Sequence, residues 1–325
     1  MAGDGRDAAP APARPVDVVP AAAPRPGVPP WLAPHASHLA ALASMPPPAR
    51  LDALNAWARE RGVASGSGRP LRFVADADGG GAGRVRAASR VAYEARIFAD
   101  GEVATRIDGP GARHDLHNAL AWLAWPRAKA RHNALHAGAL ADAGPGAPRG
   151  PLRDAATLFD ENAALWVGTD ASLEAMLRAF DWQALFVAHR ARFVASVRVH
   201  AFGHALLEKL DAPFKAITAH AWPLRLPPDT PADALDAALA ASLEPGALDT
   251  RAFCPLPVMG LPEWCEANAD PGFYNDATVF RPGRLRASRR CRAPRSRLTR
   301  PPPRPPRSHE RDPEHRRRRL PRPAA

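Results

Sequence analysis

Apolar residues recur at helical spacing in several segments of the chain. From Trp31 to Arg61 this pattern predicts two helical pieces separated by a break at Met45–Pro48, and Gly62 stands where the second piece should end. Helical spacing returns over residues 171–193 and 231–243. The apolar pattern therefore predicts a helix-rich protein.

A central helical hairpin is predicted at residues 115–142. Within residues 113–136, RHDLHNALAWLAWPRAKARHNALH, the leucines repeat at helical spacing. Asp115 is a suitable N-cap for the first helix, and Pro126 suits the first position of the second one. We therefore expect two antiparallel helices that turn at Pro126.

Runs of β-prone residues predict short strands and two β-hairpins. Residues 71–74, LRFV, form one candidate strand. In YEARIFADGEVATR, residues 93–106, Asp100-Gly101 separates two β-prone runs, and this pair is favoured in tight turns where φ is positive. Residues 157–167, TLFDENAALWV, resemble a second hairpin that turns near Glu161–Ala163.

The order of these segments favours an α+β fold over a doubly wound sheet, because strands and helices do not alternate regularly. We predict one helix-rich globular domain over residues 31–282, with two short β-hairpins and the helical hairpin. Residues 1–30 are rich in proline and alanine, and residues 283–325 are rich in arginine and proline. Both segments are expected to be disordered.

The basic charge of the chain is confined to its C-terminal tail. The formal net charge is +11, but residues 281–325 hold 17 arginines and three acidic residues, which leaves residues 1–280 with a net charge of −3. The charge pattern therefore predicts no nucleic-acid surface on the globular domain. The tail, residues 284–325, could bind nucleic acid without specificity, or it could derive from a shifted reading frame in a GC-rich gene.

Cysteine usage and apolar run lengths indicate a cytoplasmic protein. The three cysteines, Cys254, Cys265 and Cys291, show no paired spacing, so neither a disulfide framework nor a zinc ribbon is expected. The N-terminus has no apolar signal region. The longest apolar run falls well short of the roughly 20 residues that a membrane span needs. No membrane partner is therefore expected.

The helical hairpin would gather polar side chains at its open end, because positions equidistant from Pro126 meet in an antiparallel pair. Asn118 and Asn133 lie eight residues before and seven residues after this proline. His114 and His136 lie twelve residues before and ten residues after it. We therefore expect the asparagines to meet and the two histidines to share one hydrogen-bonded network.

This cluster has two interpretations. In the functional one, His114, Asp115 and His136 perform acid–base chemistry, and the remaining polar side chains bind substrate. Those binding candidates are Asn118, Lys129 and Asn133. In the structural one, the same groups satisfy the hydrogen bonds of loops and helix ends. Two histidines without a defined third ligand do not specify a metal site, so no metal is assigned, folding should not require one, and any cofactor is unknown.

Two further candidates lie outside the helical hairpin. Residues 193–202 predict a strand followed by a helix, which places His200 on the strand and His204 in the first helical turn. There the helix dipole favours a neutral imidazole, which suits a base, although a core residue is the alternative. Asp160 and Glu161 would point to opposite faces of a strand, so at most one of them, Glu161, would join a site. Turn chemistry is the alternative for this acidic pair.

The chain resembles the bacterial family of unknown function DUF3025 in five stretches that occur in order. They are YEARIFADGEVATR, HDLHNALAWLAWPRAKARHNALH, TLFDENAALWV, FGHALLEKL and PLPVMGLPEW…FYNDATVFRP. The second stretch is similar to the family pattern H-D-L-F-N-A-L-x-W-x-x-F-P-x-x-K-x-x-x-N-x-x-H. The matching residues are His114, Asp115, Asn118, Trp122, Pro126, Lys129, Asn133 and His136.

The resemblance covers about residues 31–282 and helps to rank the histidines. His117 stands where the family pattern has phenylalanine, and His132 stands where the pattern specifies no histidine. The resemblance therefore implies that neither is a site residue. It implies no reaction, because the family has none assigned.

We hypothesise a hydrolase-like or proton-transfer enzyme that acts on an unknown small molecule. It would use His114 and His136 with Asp115 or Glu161. The alternative is a non-catalytic binding or scaffold module for an unknown protein partner, in which the same cluster is structural. A pocket lined by the cluster would favour the enzyme, and burial without an opening would favour the scaffold.

Overall fold

The computed structural model describes residues 28–76, 86–143 and 150–283, and only the backbone of residues 86–92. These residues all belong to one compact unit. The disorder predicted for residues 1–27 and 284–325 falls outside the described residues. The chain is helix-rich with small sheets, which confirms the α+β class.

The first helices follow the predicted pattern. A 3-10 turn at Pro30–His35 leads into α1, Ala36–Ala43, and α2 spans Pro47–Glu60. Gly62 follows α2 with φ of 62°, a left-handed conformation that glycine adopts without steric cost. The predicted break and helix end are thus confirmed.

The first predicted hairpin, residues 93–106, is wrong. A helix, α3, spans Arg86–Asp100, and β2, Glu102–Thr105, pairs in parallel with β1, Arg72–Ala75. Parallel neighbours need a long crossover rather than a two-residue turn. Gly101, with φ of 74°, ends the helix instead of forming the corner of a hairpin.

The second predicted hairpin, residues 157–167, is also wrong. Helix α6, Pro151–Asn162, runs directly into β3, Ala163–Gly168. Every residue of β3 is buried, as expected for a central strand covered on both faces. The apolar run was therefore one buried strand, and the acidic residues before it belong to a helix end.

The main sheet has four strands in the order β4-β3-β5-β6. β4, Val197–Ala201, lies antiparallel to β3, whereas β5, Thr218–Leu224, lies parallel to β3. β6, Cys254–Pro257, pairs antiparallel with β5. The strand is thus shorter than the predicted one at 193–202, because a helix, α8 (Arg190–Ser196), precedes it.

The remaining elements are mostly short helices. They are α7 (Ala171–Ala179), a π-helical turn (Ala184–Ala188), α8 (Arg190–Ser196), α9 (His204–Leu210), α10 (Ala232–Ser242), and 3-10 turns at Val258–Gly260, Glu266–Ala269 and Pro271–Asn275. Apolar clusters cover both faces of the main sheet, and a third cluster lies between α2, α4 (Ala112–Ala124) and the small sheet of β1 and β2.

The predicted helical pair is present as α4, Ala112–Ala124, and α5, Pro126–Ala143. The two helices do not align along their lengths, because α4 packs mainly on α9, and α5 mainly on α10 and α3. Asp115 is not the N-cap, since α4 begins three residues earlier, after Gly111. Equal distance from Pro126 therefore does not decide which side chains meet.

Candidate functional site

The start of α9 places His204 against the end of α6. A Cβ atom on Gly203 would lie 2.4 Å from the backbone nitrogen of Asn162 and 2.5 Å from the carbonyl of Glu161, closer than the 3.0 Å limit for real Cβ contacts. Only glycine therefore permits this approach of α9 to α6. The approach brings His204 beside Asp160 and Glu161, the last acidic residues of α6.

His204 meets His114 of α4 at the centre of the cluster. The two Nε2 atoms lie 3.0 Å apart, and the rings meet edge to face with centroids 4.5 Å apart. The Oε2 atom of Glu161 lies 3.5 Å from Nε2 of His204. One ligand atom each from His114, Glu161 and His204 lies within 4.8 Å of the other two.

Each of the two imidazoles has a carboxylate near its Nδ1 atom. Nδ1 of His114 lies 2.9 Å from Oε2 of Glu208 on α9, a hydrogen-bond distance. Nδ1 of His204 lies 3.6 Å from Oδ2 of Asp160, slightly beyond that distance. Both histidines therefore direct Nε2 toward the middle of the cluster and Nδ1 toward an acid.

A buried cation anchors the inner side of the cluster. The ammonium group of Lys129 donates hydrogen bonds to Asp160 and, at 3.0 Å, to Oδ1 of Asn118. It also lies 5.2 Å from the ring centroid of Trp122. Asn118 in turn donates to the hydroxyl of Tyr93 at 2.9 Å. These contacts link α4, α5 and α6 behind the histidine pair.

Burial and the neighbouring charges together determine the pKa values of Asp160 and His204. Burial alone would raise the pKa of Asp160, but Lys129 and the nearby histidines hold this pKa well below its usual range. Burial lowers the pKa of His204 to about 3, and Lys129 and His114 add to the effect against the attraction of Asp160. Near pH 7, Asp160 is therefore ionised and His204 is neutral.

The cluster reaches solvent on one side. The side chains of His114, Glu161 and Glu208 are 28 %, 23 % and 40 % exposed, whereas those of His204 and Asp160 are 7 % and 14 % exposed. Solvent therefore reaches the cluster from the side of His114 and Glu161.

A second histidine–acid contact extends the α4–α9 interface. Nε2 of His117 lies 2.9 Å from Oδ2 of Asp211, which also accepts a hydrogen bond from Arg113. His117 is buried, and its contact lies one helical turn along from that of His114 with Glu208. It joins the two helices outside the central group.

Three predicted site residues lie away from this group. Asp115 forms a two-pronged ion pair with Arg106. Asn133 accepts from the backbone nitrogen of Gly66 and donates to Glu94, so it does not meet Asn118 as predicted. The ring centroid of His136 lies 5.8 Å from that of His132. The structure pairs His114 with His204 rather than with His136.

Two members of the cluster, Asp160 and Glu208, were not predicted as site residues from the sequence. Asp160 and Glu161 were expected on opposite faces of a strand, but on a helix both reach His204. Glu208 carried one signal, because it follows His204 by four residues and therefore lies on the same helical face. His132, which was discounted, lies 2.9 Å from the carbonyl oxygen of Ala156.

A pocket near α4 does not involve the predicted cluster. Leu54 and Ile107 line it, together with Ala112 and Leu116 of α4. On a helix, these last two positions face away from His114. Neither His114 nor His204 lines this pocket.

The comparisons with known proteins identify the family. Residues 71–284 match the family model described as Protein of unknown function (DUF3025). The chain belongs to the DUF3025 family. The match includes His114, Glu161 and His204, and it begins after α1 and α2. Comparison with curated proteins found no match, and comparison with solved structures found none either.

The helices of this DUF3025 protein give no sign of a membrane span. Within the described part of the chain, none is both long enough and apolar enough to cross a bilayer.

Proposed function

We propose that this DUF3025 protein is a hydrolase-like enzyme that activates a water molecule between His114, His204 and Glu161. The observation that carries the proposal is the convergence of two imidazole nitrogens, 3.0 Å apart, with a carboxylate oxygen 3.5 Å from one of them. Groups with free electron pairs at such a point can accept a proton from water and so make it nucleophilic. The partial exposure of His114 and Glu161 supports access for water and substrate.

The buried side of the cluster has a positioning role in this proposal. Lys129 is only 2 % exposed, and its contacts with Asp160 and Asn118 fix the side chains that surround His204. A substrate would meet the exposed side first, so these residues support the site rather than bind the substrate. We propose this supporting role for Asn118 and Lys129 in place of the substrate-binding role predicted from the sequence.

A scaffold function is the second candidate, and it is favoured by other polar groups of the helical pair. Asn133 joins α5 to the backbone of Gly66 and Glu94, and Asp115 joins α4 to Arg106. Both contacts tie loops or helices together, which is a structural use of a buried polar side chain. We therefore propose structural roles for Asn133 and Asp115, and the catalytic role of His136 stays a prediction.

The test is a screen of the purified full chain against chromogenic esters, phosphoesters, amides and glycosides. His114→Gln and Glu161→Gln remove one acceptor each at partly exposed positions, and His189→Gln is a matched histidine control outside the cluster. We expect hydrolysis of one substrate class by the wild type and the control, and a loss of about 100-fold or more in the two variants. No hydrolysis of any class, or unchanged activity in both variants, would overturn the proposal in favour of the scaffold.

A further inference from the structure

We propose that His114, His204 and Glu161 form a binding site for one divalent cation with the coordination preferences of zinc. The inference rests on the cluster of the proposed function and deepens it, because a cation bound to these three groups would itself lower the pKa of the water, in place of direct proton transfer to them. Two imidazoles and one carboxylate are a ligand set from which zinc enzymes build catalytic sites, with water in the fourth position.

Two of the three ligand separations suit a tetrahedral ion. A cation about 2.0–2.1 Å from each ligand atom would form an angle of about 95° with the two Nε2 atoms, and an angle of about 115° with Nε2 of His204 and Oε2 of Glu161. These angles, which follow from the separations of 3.0 Å and 3.5 Å, lie on either side of the tetrahedral value. The ligand atoms of His114 and Glu161 lie within 4.8 Å of each other, and both side chains are partly exposed and can move toward a common ion.

The proton positions on the two imidazoles give an independent argument. In a neutral imidazole, one nitrogen carries a proton and the other carries a free electron pair. Glu208 favours the proton on Nδ1 of His114, and Asp160 favours the proton on Nδ1 of His204. Both Nε2 atoms then present electron pairs to each other and to Glu161. Two imidazole electron pairs 3.0 Å apart repel each other, and a cation bound to both nitrogens removes the repulsion.

The opposite proton assignment leaves a buried group without a partner. If His204 instead donates from Nε2 to His114, its Nδ1 becomes an acceptor that faces the Asp160 carboxylate. That buried acceptor would have no donor among the described residues, and it would lie 3.6 Å from the negatively charged Oδ2 of Asp160. A cation between the Nε2 atoms allows both Nδ1 protons to point at carboxylates, which is the usual outer arrangement of metal-bound histidines.

The surroundings leave room for a fourth ligand. His204 closes the inner side, whereas His114 and Glu161 face solvent. Glu208 and Asp160 would act as positioning residues, because each contacts a ligand histidine through the nitrogen that does not face the centre. The three proposed ligands lie on α4, α6 and α9, so the site depends on the packing of these helices.

The experiment is titration of the chelator-treated full chain with CoCl₂ and ZnCl₂. Binding is followed by the visible absorption of tetrahedral Co²⁺ and by calorimetry. Three residues of the tail, Cys291, His309 and His315, could also bind metal. The binding site is therefore identified by the loss of metal binding in variants, and not by the number of metal ions bound per chain. The variants are His114→Gln, Glu161→Gln and Glu208→Gln, with His189→Gln as the control, and circular dichroism confirms that each is folded.

We expect the wild type and His189→Gln to give the tetrahedral Co²⁺ spectrum, which Zn²⁺ then abolishes by displacement. Glu208→Gln should lose about 10- to 100-fold in affinity, and the two ligand variants should lose more. Unchanged binding in folded His114→Gln and Glu161→Gln, or no tetrahedral spectrum in the wild type, would overturn the inference.

The two proposals fail separately. Metal binding that depends on His114 and Glu161, without hydrolysis of any substrate class, supports the metal site and overturns the enzyme. Hydrolysis that needs His114 but persists in chelator-treated protein supports the enzyme and overturns the metal site.

Discussion

Lys129 carries a charged ammonium group into the interior, where Asp160 is its ionic partner. Removal of one member of such a pair leaves the other charge buried and uncompensated, which costs about 3–5 kcal/mol. Lys129→Met should therefore lower the free energy of unfolding by about this amount, and Lys129→Met with Asp160→Asn should cost less than the sum of the single changes. Urea unfolding of the four proteins measures this coupling. Strictly additive losses would show that the pair does not stabilise the site as a unit.

His35 is fully buried, and neither of its ring nitrogens has a hydrogen-bond partner among the described residues. Burial lowers its pKa from 6.5 to about 3, with smaller contributions from His117 and His38. The unfolded chain therefore takes up a proton at this residue as the pH falls below about 6.5, whereas the folded chain does not, so stability falls between about pH 6.5 and pH 3 and is unaffected above this range.

The matched variant for this pH dependence is His35→Leu, which has no group to titrate. The melting temperature of metal-free wild type should fall more steeply than that of His35→Leu between pH 7 and pH 5. Parallel curves for the two proteins would show that His35 does not contribute to the pH dependence.

The contact between α6 and α9 decides whether the site exists. Gly203→Ala places a Cβ atom against the backbone of Glu161 and Asn162, and neither side can move without shifting a helix. We expect a loss of about 1–3 kcal/mol in stability and of Co²⁺ binding. Gly138→Ala on α5 is the control, because its Cβ atom would meet nothing within 4 Å. Undisturbed binding by Gly203→Ala would contradict this account of the helix contact.

The sequence predicts most helices of the protein but misassigns the two junctions that matter here. Asp100-Gly101 and Glu161–Ala163 are both places where a helix passes directly into a strand. Glycine and acidic residues suit a helix end as well as a turn, so local pattern does not separate the two. The residues after Gly101 form a strand because they pair with β1, and the residues after Asn162 form a strand because they are buried in the main sheet. Both contacts involve residues that are distant in sequence.

The candidate site was only partly predictable for the same reason. His114, Glu161 and His204 were each recognisable as candidates, but they lie on three helices that are far apart in sequence. Symmetry about Pro126 pointed to His136 as the partner of His114. The packing of α4 on α9, which brings His204 to His114, follows from the whole core and not from the spacing within the helical pair.

The arginine-rich tail is predicted to be dispensable for the folding of the globular domain. Phe280 belongs to the core, and the Trp182 indole donates to the carbonyl oxygen of Arg281. A truncation should therefore follow Arg284 rather than Pro282. The truncated chain should keep its melting temperature and lose any retention on nucleic acid at low salt, since the 281–325 region carries the positive charge. A lower melting temperature would show that the tail contributes to the domain.

The most direct test of the metal site is anomalous diffraction at the zinc absorption edge, on crystals of the full chain grown with ZnCl₂. We predict a strong peak about 2.0–2.1 Å from Nε2 of both His114 and His204 and within bonding distance of Glu161. Zinc peaks only at other positions, with none between the two imidazoles, would contradict the metal site.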